Sequence, residues 1–333
     1  MRVLMQNRSN FNTAIAGDSV QLRKTGEYLE RLGVEVKIHS GSGIDLKGFD
    51  LVHLFNLIPV ADTYRQFENA RRQGKAIVLS PIFWDPAEYL EISRQSGFEA
   101  WWRGTMPLRR LILAGSSMIL PNSQLELDAL RRHFPTLPPA VVIPNAADRS
   151  FAAASPEWFI KRYQISGFLL TAGRICRRKN QLSLIRVAKM LNQQLVIIGP
   201  VNDGPYYLQC RKESAGGRVL FIDSLGQQEL ASAYAAARVH ALVSWYDTPG
   251  LVSLEAALAG CRIVSTDRGS AKEYFGSLAE YCDPGDEASI LQAVNRAWER
   301  PPESRLRELV LQKYTWEQAA QATLAAYQNL LGN

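Results

Sequence analysis

Two carboxylates with seven residues between them, Asp247 and Glu255, flank the segment Thr248-Pro249-Gly250-Leu251-Val252-Ser253-Leu254. A run of good helix formers, Leu251–Ala259, follows Gly250 directly, so the amides of Gly250, Leu251 and Val252 are expected to lie free at a helix start. Unpaired N–H groups and the helix dipole favour an anion there, and glycine lets a phosphate approach the backbone. A carboxylate repels that phosphate but accepts hydrogen bonds from hydroxyls around it. The segment therefore suits a sugar carried on phosphate, with one acid for each sugar of a nucleotide sugar. A plainer reading makes Asp247 a first-turn residue favoured by the dipole and Glu255 a solvated helix position.

A second cluster, Gly173-Arg174-Ile175-Cys176-Arg177-Arg178-Lys179-Asn180, places four cations within six residues, which by itself describes a basic surface loop. Neither cluster is part of a wider charge bias. Residues 1–150 hold 18 basic and 15 acidic side chains and residues 151–333 hold 20 and 17, for a net charge of +6. A mild excess of this kind suits an anionic ligand or membrane surface as well as it suits nucleic acid. No zinc finger, RNP-type aromatic motif or lysine-rich tract is present, so nucleic acid is not an expected partner. Cys176, Cys210, Cys261 and Cys282 are scattered with no CxxC pair, which suggests neither a zinc cage nor a disulfide framework and fits a reducing cytoplasm. Met1-Arg2-Val3-Leu4-Met5-Gln6 turns polar too soon for a signal peptide, and no apolar run is long enough to span a membrane.

The elements that must position these clusters alternate short β-branched or Leu-rich runs with helix-like stretches, a pattern of parallel sheets covered by helices. Expected strands in the first half are 2–5, 35–38, 51–54, 76–79, 118–120 and 141–143; the second half restarts at 168–172 and continues at 194–198, 219–222, 239–243 and 262–265. Two doubly wound domains follow, joined near 144–155, where Pro, Asn, Ala and Ser gather. In such sheets the ligand sits beyond the carboxyl ends of the strands, where both clusters fall.

These segments together resemble the retaining family-4 glycosyltransferases of GT-B fold, the glycosyltransferases group 1. Asp247, Glu255 and the following Ala256-Ala257-Leu258-Ala259-Gly260-Cys261-Arg262-Ile263-Val264 match the family's paired acids in spacing and flanks, although Asp247 stands where the family usually has the longer Glu and Pro249 fills a slot that is often aromatic. Arg174 and Lys179 fall at the spacing of its Gly-Arg-Leu…Lys-Gly segment, with Asn180 in place of the glycine. Asp267-Arg268-Gly269-Ser270-Ala271-Lys272-Glu273 and Asp283-Pro284-Gly285-Asp286 resemble later turns, Glu273 being a further site candidate. The resemblance extends to Ala14–Gln21 around Gly17, to Asn145-Ala146-Ala147-Asp148 with Phe151, and to Tyr314-Thr315-Trp316-Glu317.

The resemblance implies an α/β chain of GT-B type, with two Rossmann-like doubly wound parallel-sheet domains facing an interdomain cleft. Residues 1–150 would form the acceptor-side domain, 151–314 the nucleotide-sugar-binding domain, and 315–333 a last helix returning to the first. It implies a retaining, metal-independent transfer from a nucleoside-diphosphate sugar to a glycan or lipid-linked acceptor, of the kind used in bacterial polysaccharide or glycolipid biosynthesis. The leaving phosphate would take the acceptor proton. Arg174 and Lys179 would stabilise the leaving diphosphate, Asp247 would hold donor-sugar hydroxyls, and Glu255 the ribose. Gly17, Gly173, Ser224, Leu225, Thr248, Gly250, Leu251 and Val252 would complete the donor site. No cofactor beyond the nucleotide sugar is expected, and no DxD metal motif occurs.

The strand 76–79 leads to Ser80-Pro81-Ile82-Phe83-Trp84-Asp85, without the histidine many relatives carry, which leaves Trp84 and Asp85 as acceptor-side candidates. His53 among apolar neighbours is expected in the core, and His39, His133 and His240 suggest nothing. Trp101–Leu113 interleaves aromatic, basic and aliphatic residues, either as an interfacial membrane segment or as a core helix with its arginines in water, interrupted by Pro107. Two other functions stay open. A GT-B sugar-nucleotide epimerase would need internal acid and base groups, and a non-catalytic sugar-nucleotide-binding module would accommodate the departures at Asp247 and Asn180.

Overall fold

The computed structural model describes residues 1–93, 96–302 and 304–332. The chain divides into one unit of Met1–Asn145 with Trp316–Asn333 and another of Ala146–Thr315; Asn333 itself lies outside the described residues.

The first unit contains β1 (Arg2–Gln6), α1 (Gly17–Arg31), β2 (Glu35–His39), β3 (Leu51–Phe55), α2 (Val60–Arg72), β4 (Ala76–Ser80), α3 (Ala87–Ser93), α4 (Ser96–Gly104), α5 (Met106–Gly115), β5 (Met118–Ile119) and α6 (Gln124–His133). Its five strands are all parallel in the order β2-β1-β3-β4-β5. Strands covered on both faces can be apolar throughout, and β3 is buried at every position whereas the edge strand β2 alternates. The expected strand 141–143 does not form. A single bridge pairs Ile119 with Ala140, and Val141 and Ile143 donate backbone bonds to Ile119 and Pro121. Pro138, Pro139 and Pro144 remove the donors that a longer ladder needs.

The second unit contains α7 (Glu157–Tyr163), β6 (Leu169–Ala172), α8 (Gln181–Met190), β7 (Leu195–Ile198), α9 (Gly204–Glu213), β8 (Val219–Ile222), α10 (Gln227–Ala236), β9 (Val239–Leu242), α11 (Leu251–Ala259), β10 (Arg262–Thr266), α12 (Ala271–Phe275), β11 (Glu280–Cys282), α13 (Glu287–Glu299) and α14 (Arg305–Lys313). Six parallel strands run in the order β11-β10-β9-β6-β7-β8. The chain moves outward from β6 to β8, then returns to lay β9 on the other side of β6. Loops leaving the carboxyl ends of β6 and β9 therefore diverge over the point where strand order reverses, the crevice such sheets use for ligands. The three-residue edge strand β11 is too short for sequence periodicity to reveal.

The last helix, α15 (Trp316–Leu331), packs on α1 of the first unit. A buried hydrogen-bonded chain fixes it. His53 in β3 faces Tyr327 Oη of α15 at 2.5 Å through Nδ1 and Ser80 Oγ of β4 at 2.9 Å through Nε2. A neutral imidazole takes one proton and gives one, so both neighbours are satisfied without a buried charge.

The Trp101–Leu113 segment breaks at Thr105, and Pro107 sits in the first turn of α5, where its missing N–H costs nothing. Its arginines do not all face water. Arg103 and Arg110 are exposed, but Arg109 is fully buried, its guanidinium 3.9 Å from the Trp102 ring and donating to the carbonyls of Leu57, Ile58 and Trp102 and to Thr105 Oγ1. Burial draws its pKa down to about 10. Arg109 thus ties α5 to the turn after β3.

His53 and His240, the latter in β9, are both fully buried, and burial holds each pKa near about 3, against 6.5 for an exposed histidine. Between those values the unfolded chain takes up protons that the native chain does not, so stability is full above pH 6.5 and is lost as pH falls. Urea unfolding from pH 6.5 to 4.5 should show a loss approaching about 1.4 kcal/mol per pH unit for each histidine, and His53→Gln should remove one histidine's share of that slope.

Candidate active site

In the second unit, Gly173–Asn180 leaves β6 and Ser244–Gly250 leaves β9. The first loop is fixed from both ends. Gly173 N donates to Ile198 O and Ile175 N to Pro200 O, tying it to the loop after β7. Gly199, at φ +151°, lets these two loops touch, since a Cβ there would stand 2.1 Å from Gly173 O. At the far end Asn180 adopts the left-handed conformation at φ 57°, which asparagine tolerates better than other residues bearing a side chain. Its Nδ2 donates to Pro284 O at 2.9 Å, and its Oδ1 accepts from Ser183 Oγ. The departure from glycine thus preserves the turn and adds a link to Asp283-Pro284-Gly285-Asp286.

The second loop is positioned by Gly269. A parallel bridge joins Asp247 to Gly269, and Ser270 N donates to Asp247 O at 3.2 Å. Gly269 holds φ +90°, and a Cβ there would lie 2.1 Å from Asp247 O. A residue read from the sequence as a turn marker therefore sets the height of Asp247. Gly250 immediately precedes α11, and the first-turn amides of Leu251 and Val252 have no acceptor within the helix.

The two loops meet through their charges. Lys179 Nζ lies 2.9 Å from Oδ1 and 2.8 Å from Oδ2 of Asp247, across 68 residues of chain, and both side chains are 12% exposed. Arg178 Nη1 stands 3.8 Å from the same carboxylate and also donates to Tyr246 O. Burial alone would raise the Asp247 pKa, but Lys179 and Arg178 outweigh it and hold the carboxyl below its usual range. Lys179 is drawn down by burial, an effect Asp247 only partly offsets. Arg174 and Gly173 are part-buried at the start of the first loop, and Gln181 Nε2 donates to Arg174 O.

Eight residues along from Asp247, Glu255 Oε2 accepts from Tyr234 Oη of α10 at 3.2 Å. Tyr234 is fully buried and meets the ring of His240 edge-on at 5.7 Å. His240 lies within electrostatic reach of both Lys179 and Asp247, and neither of its ring nitrogens has a hydrogen-bond partner among the described residues. Tyr234 and His240 carried no sequence signal: each sits in an apolar run, and only the fold brings them beneath the two acids.

The other expected residues are placed as follows. Thr248, Leu251 and Val252 are part-buried on the loop and first turn of α11, and Ser224 and Leu225 lie between β8 and α10. Gly17 opens α1 of the first unit with open space around it. Ala16 is the cap of that helix, while Asp18 pairs with Arg8 at 2.8 Å and accepts from Asn56 Nδ2 at 3.1 Å. Trp84 packs between Tyr89 and Phe98, and Asp85 accepts from Ala87 N and pairs with His133 Nε2 at 2.9 Å, both just past β4. Glu273 lies in α12, its N–H bonded to Ser270 O. Among the described residues no group of three or more His, Cys, Asp or Glu is arranged to hold a metal ion.

Two all-parallel Rossmann-like units with cations and acids gathered at the second unit's switch point define a GT-B fold. Residues 160–309, which lie within the second unit, match the family model of the glycosyl transferases group 1. The O-antigen chain mannosyltransferase B of Escherichia coli is 25% identical over 186 residues, which cover 51% of this chain and 49% of that protein. The chain spans about half the length of the curated relatives it matches. Among solved structures, the sucrose-phosphate synthase of Thermosynechococcus elongatus superposes with a TM-score of 0.80 at 17% identity, covering 100% of both chains. HepE of Anabaena, in complex with UDP, gives 0.76 at 14% identity over 99% of this chain and 100% of that one. These likenesses show the fold.

Gly269→Ala should cost about 1–3 kcal/mol for the left-handed backbone alone and push Asp247 away from Lys179. Urea unfolding would read the first effect, and a rise of the Asp247 carboxyl titration followed by ¹³C NMR the second.

Proposed function

We propose that this chain is a retaining, metal-independent glycosyltransferase that moves a sugar from a nucleoside-diphosphate sugar to a glycan or lipid-linked acceptor. One observation carries the reading: Lys179 and Asp247, from loops on either side of the second unit's switch point, meet within 2.8 Å beside the free amides opening α11. A diphosphate at that helix start would be neutralised by Lys179 and Arg174 and by the amides of Leu251 and Val252. Donor-sugar hydroxyls would then fall to Asp247 and the ribose to Glu255, which Tyr234 orients. As the glycosidic bond breaks, charge grows on the leaving phosphate. The same cations stabilise it, and the phosphate oxygen takes the acceptor proton, so no protein base is required. Ser224 and Leu225 would offer backbone to the base, and Gly17, Trp84 and Asp85 of the first unit would serve the acceptor side.

The acceptor reading extends to a membrane. Trp101 and Leu111 are exposed on α4 and α5 beside exposed Arg103 and Arg110, the mixture that seats a helix at an anionic bilayer surface. No helix among the described residues is long and apolar enough to cross one. Flotation with vesicles containing anionic lipid should carry the protein upward, and Trp101→Ser with Leu111→Ser should abolish this; no flotation of the unaltered protein rejects the membrane reading.

Lys179→Ala should lower transfer about 10²- to 10³-fold, the cost of losing one fixed donor at developing charge, with an unchanged circular dichroism spectrum. Near-normal turnover would remove Lys179 from the mechanism. A thermal-shift panel of UDP, GDP, ADP, CDP and dTDP names the base through the nucleotide that raises the melting temperature.

A further inference from the structure

We infer that Asp247 is a built-in competitor of the donor's diphosphate for Lys179: the carboxylate yields the ammonium when an intact nucleotide sugar binds and reclaims it when the product nucleotide leaves. The inference rests on the donor-site reading above and adds the regulation of that site.

The geometry sets the two roles of Lys179 in competition. Both Asp247 oxygens lie within 2.9 Å of Nζ, and both side chains are largely withdrawn from solvent. An ammonium has three donors, and two are directed at this one carboxylate. A phosphate arriving at the α11 amides carries more charge than a carboxylate and lies beside an acid it repels. Only the third donor stays for a phosphate, so diphosphate binding draws Lys179 away from Asp247. Opening leaves Asp247 with Arg178 at 3.8 Å, the Ser244 hydroxyl, and a His240 that burial keeps neutral. A buried carboxylate that loses its closest partner is costly unless new donors replace it.

Sugar hydroxyls are such donors. An intact nucleotide sugar takes Lys179 with its phosphate and gives Asp247 hydroxyls in exchange, so its binding is nearly balanced at this pair. A nucleoside diphosphate takes Lys179 and gives nothing back. The donor is thereby favoured over the product that shares its nucleotide, and loss of the sugar on transfer returns Asp247 to compete for Lys179 and expel the spent diphosphate. The one-methylene difference between Asp and Glu bears on this directly, because reach decides which partners the carboxylate can hold.

Inorganic pyrophosphate tests the exchange without knowledge of the base. By calorimetry, Asp247→Asn should bind pyrophosphate about tenfold tighter than the unaltered protein, a gain of about 1.4 kcal/mol. The gain should vanish in the Lys179→Ala background. Equal or weaker binding by Asp247→Asn overturns the exchange and leaves the donor site standing; absence of pyrophosphate and nucleotide binding in every variant and in the unaltered protein overturns the donor site itself. Should Asp247→Asn not fold, ¹³C NMR of the Asp-labelled native protein, assigned against Asp247→Glu, serves instead. Saturating pyrophosphate should raise the Asp247 pKa, and a titration unmoved by pyrophosphate rejects the proposal.

Discussion

A buried ammonium paired with a buried carboxylate is the constraint around which the second unit is built. Neither charge is stable alone at 12% exposure, and the attraction offsets desolvation only if the geometry is held. The holding is done by backbone. Gly199 lets the loop carrying Lys179 rest on the loop after β7, Asn180 clamps its far end to Pro284, and Gly269 sets Asp247 by direct main-chain contact. Five loops are thus fixed relative to one another before any ligand arrives. Pre-positioned charge of this kind costs no reorganisation when charge develops on a substrate, which is the condition for electrostatic catalysis.

The two units share one topology and fill its crevice differently. In the first, the switch point between β1 and β3 is occupied by Arg8, whose guanidinium is consumed by Asp18, Ser19, Asn10 and the Ala14 carbonyl, with Asn56 bonded to the same aspartate. That charge is internally neutralised and locks the β1–α1 loop. The second unit's crevice instead gathers Arg178, Lys179 and Asp247 beside a helix N-terminus. The same fold therefore carries different charge arrangements at its two switch points, and side chains in two loops make the difference.

What could be read from the sequence follows from physical range. Parallel strands buried on both faces are continuous apolar runs, so ten of the eleven strands were visible, and α11 was bounded correctly by Gly250 and Gly260. The missed β11 is three residues long and pairs only with β10, while 141–143 looked like a strand because its β-branched residues were weighed without the prolines beside them. Motif spacing singles out Lys179, Asp247 and Glu255 as candidates. It did not reveal that the first two touch, nor that Tyr234 and His240 lie under them, because those relations cross strand order. Arg109 was misplaced for a similar reason: helical periodicity assigns a face, but only the turn after β3 supplies the carbonyls that make a buried guanidinium stable.

Tyr234 joins Glu255 by a hydrogen bond and His240 by a ring contact, and His240 lies within electrostatic reach of the Lys179–Asp247 pair. Tyr234 donates to Glu255, and its hydroxyl pKa is raised, by burial first and by Glu255 second, so it stays a donor at any working pH. His240 is kept neutral by burial and by Lys179, and so adds no charge that would compete with the cations above it. A histidine that titrated near neutrality in this position would weaken Asp247's hold on Lys179 with every proton it gained. Burying it against Tyr234 removes that sensitivity, which leaves the carboxylate and the ammonium answerable to ligands alone.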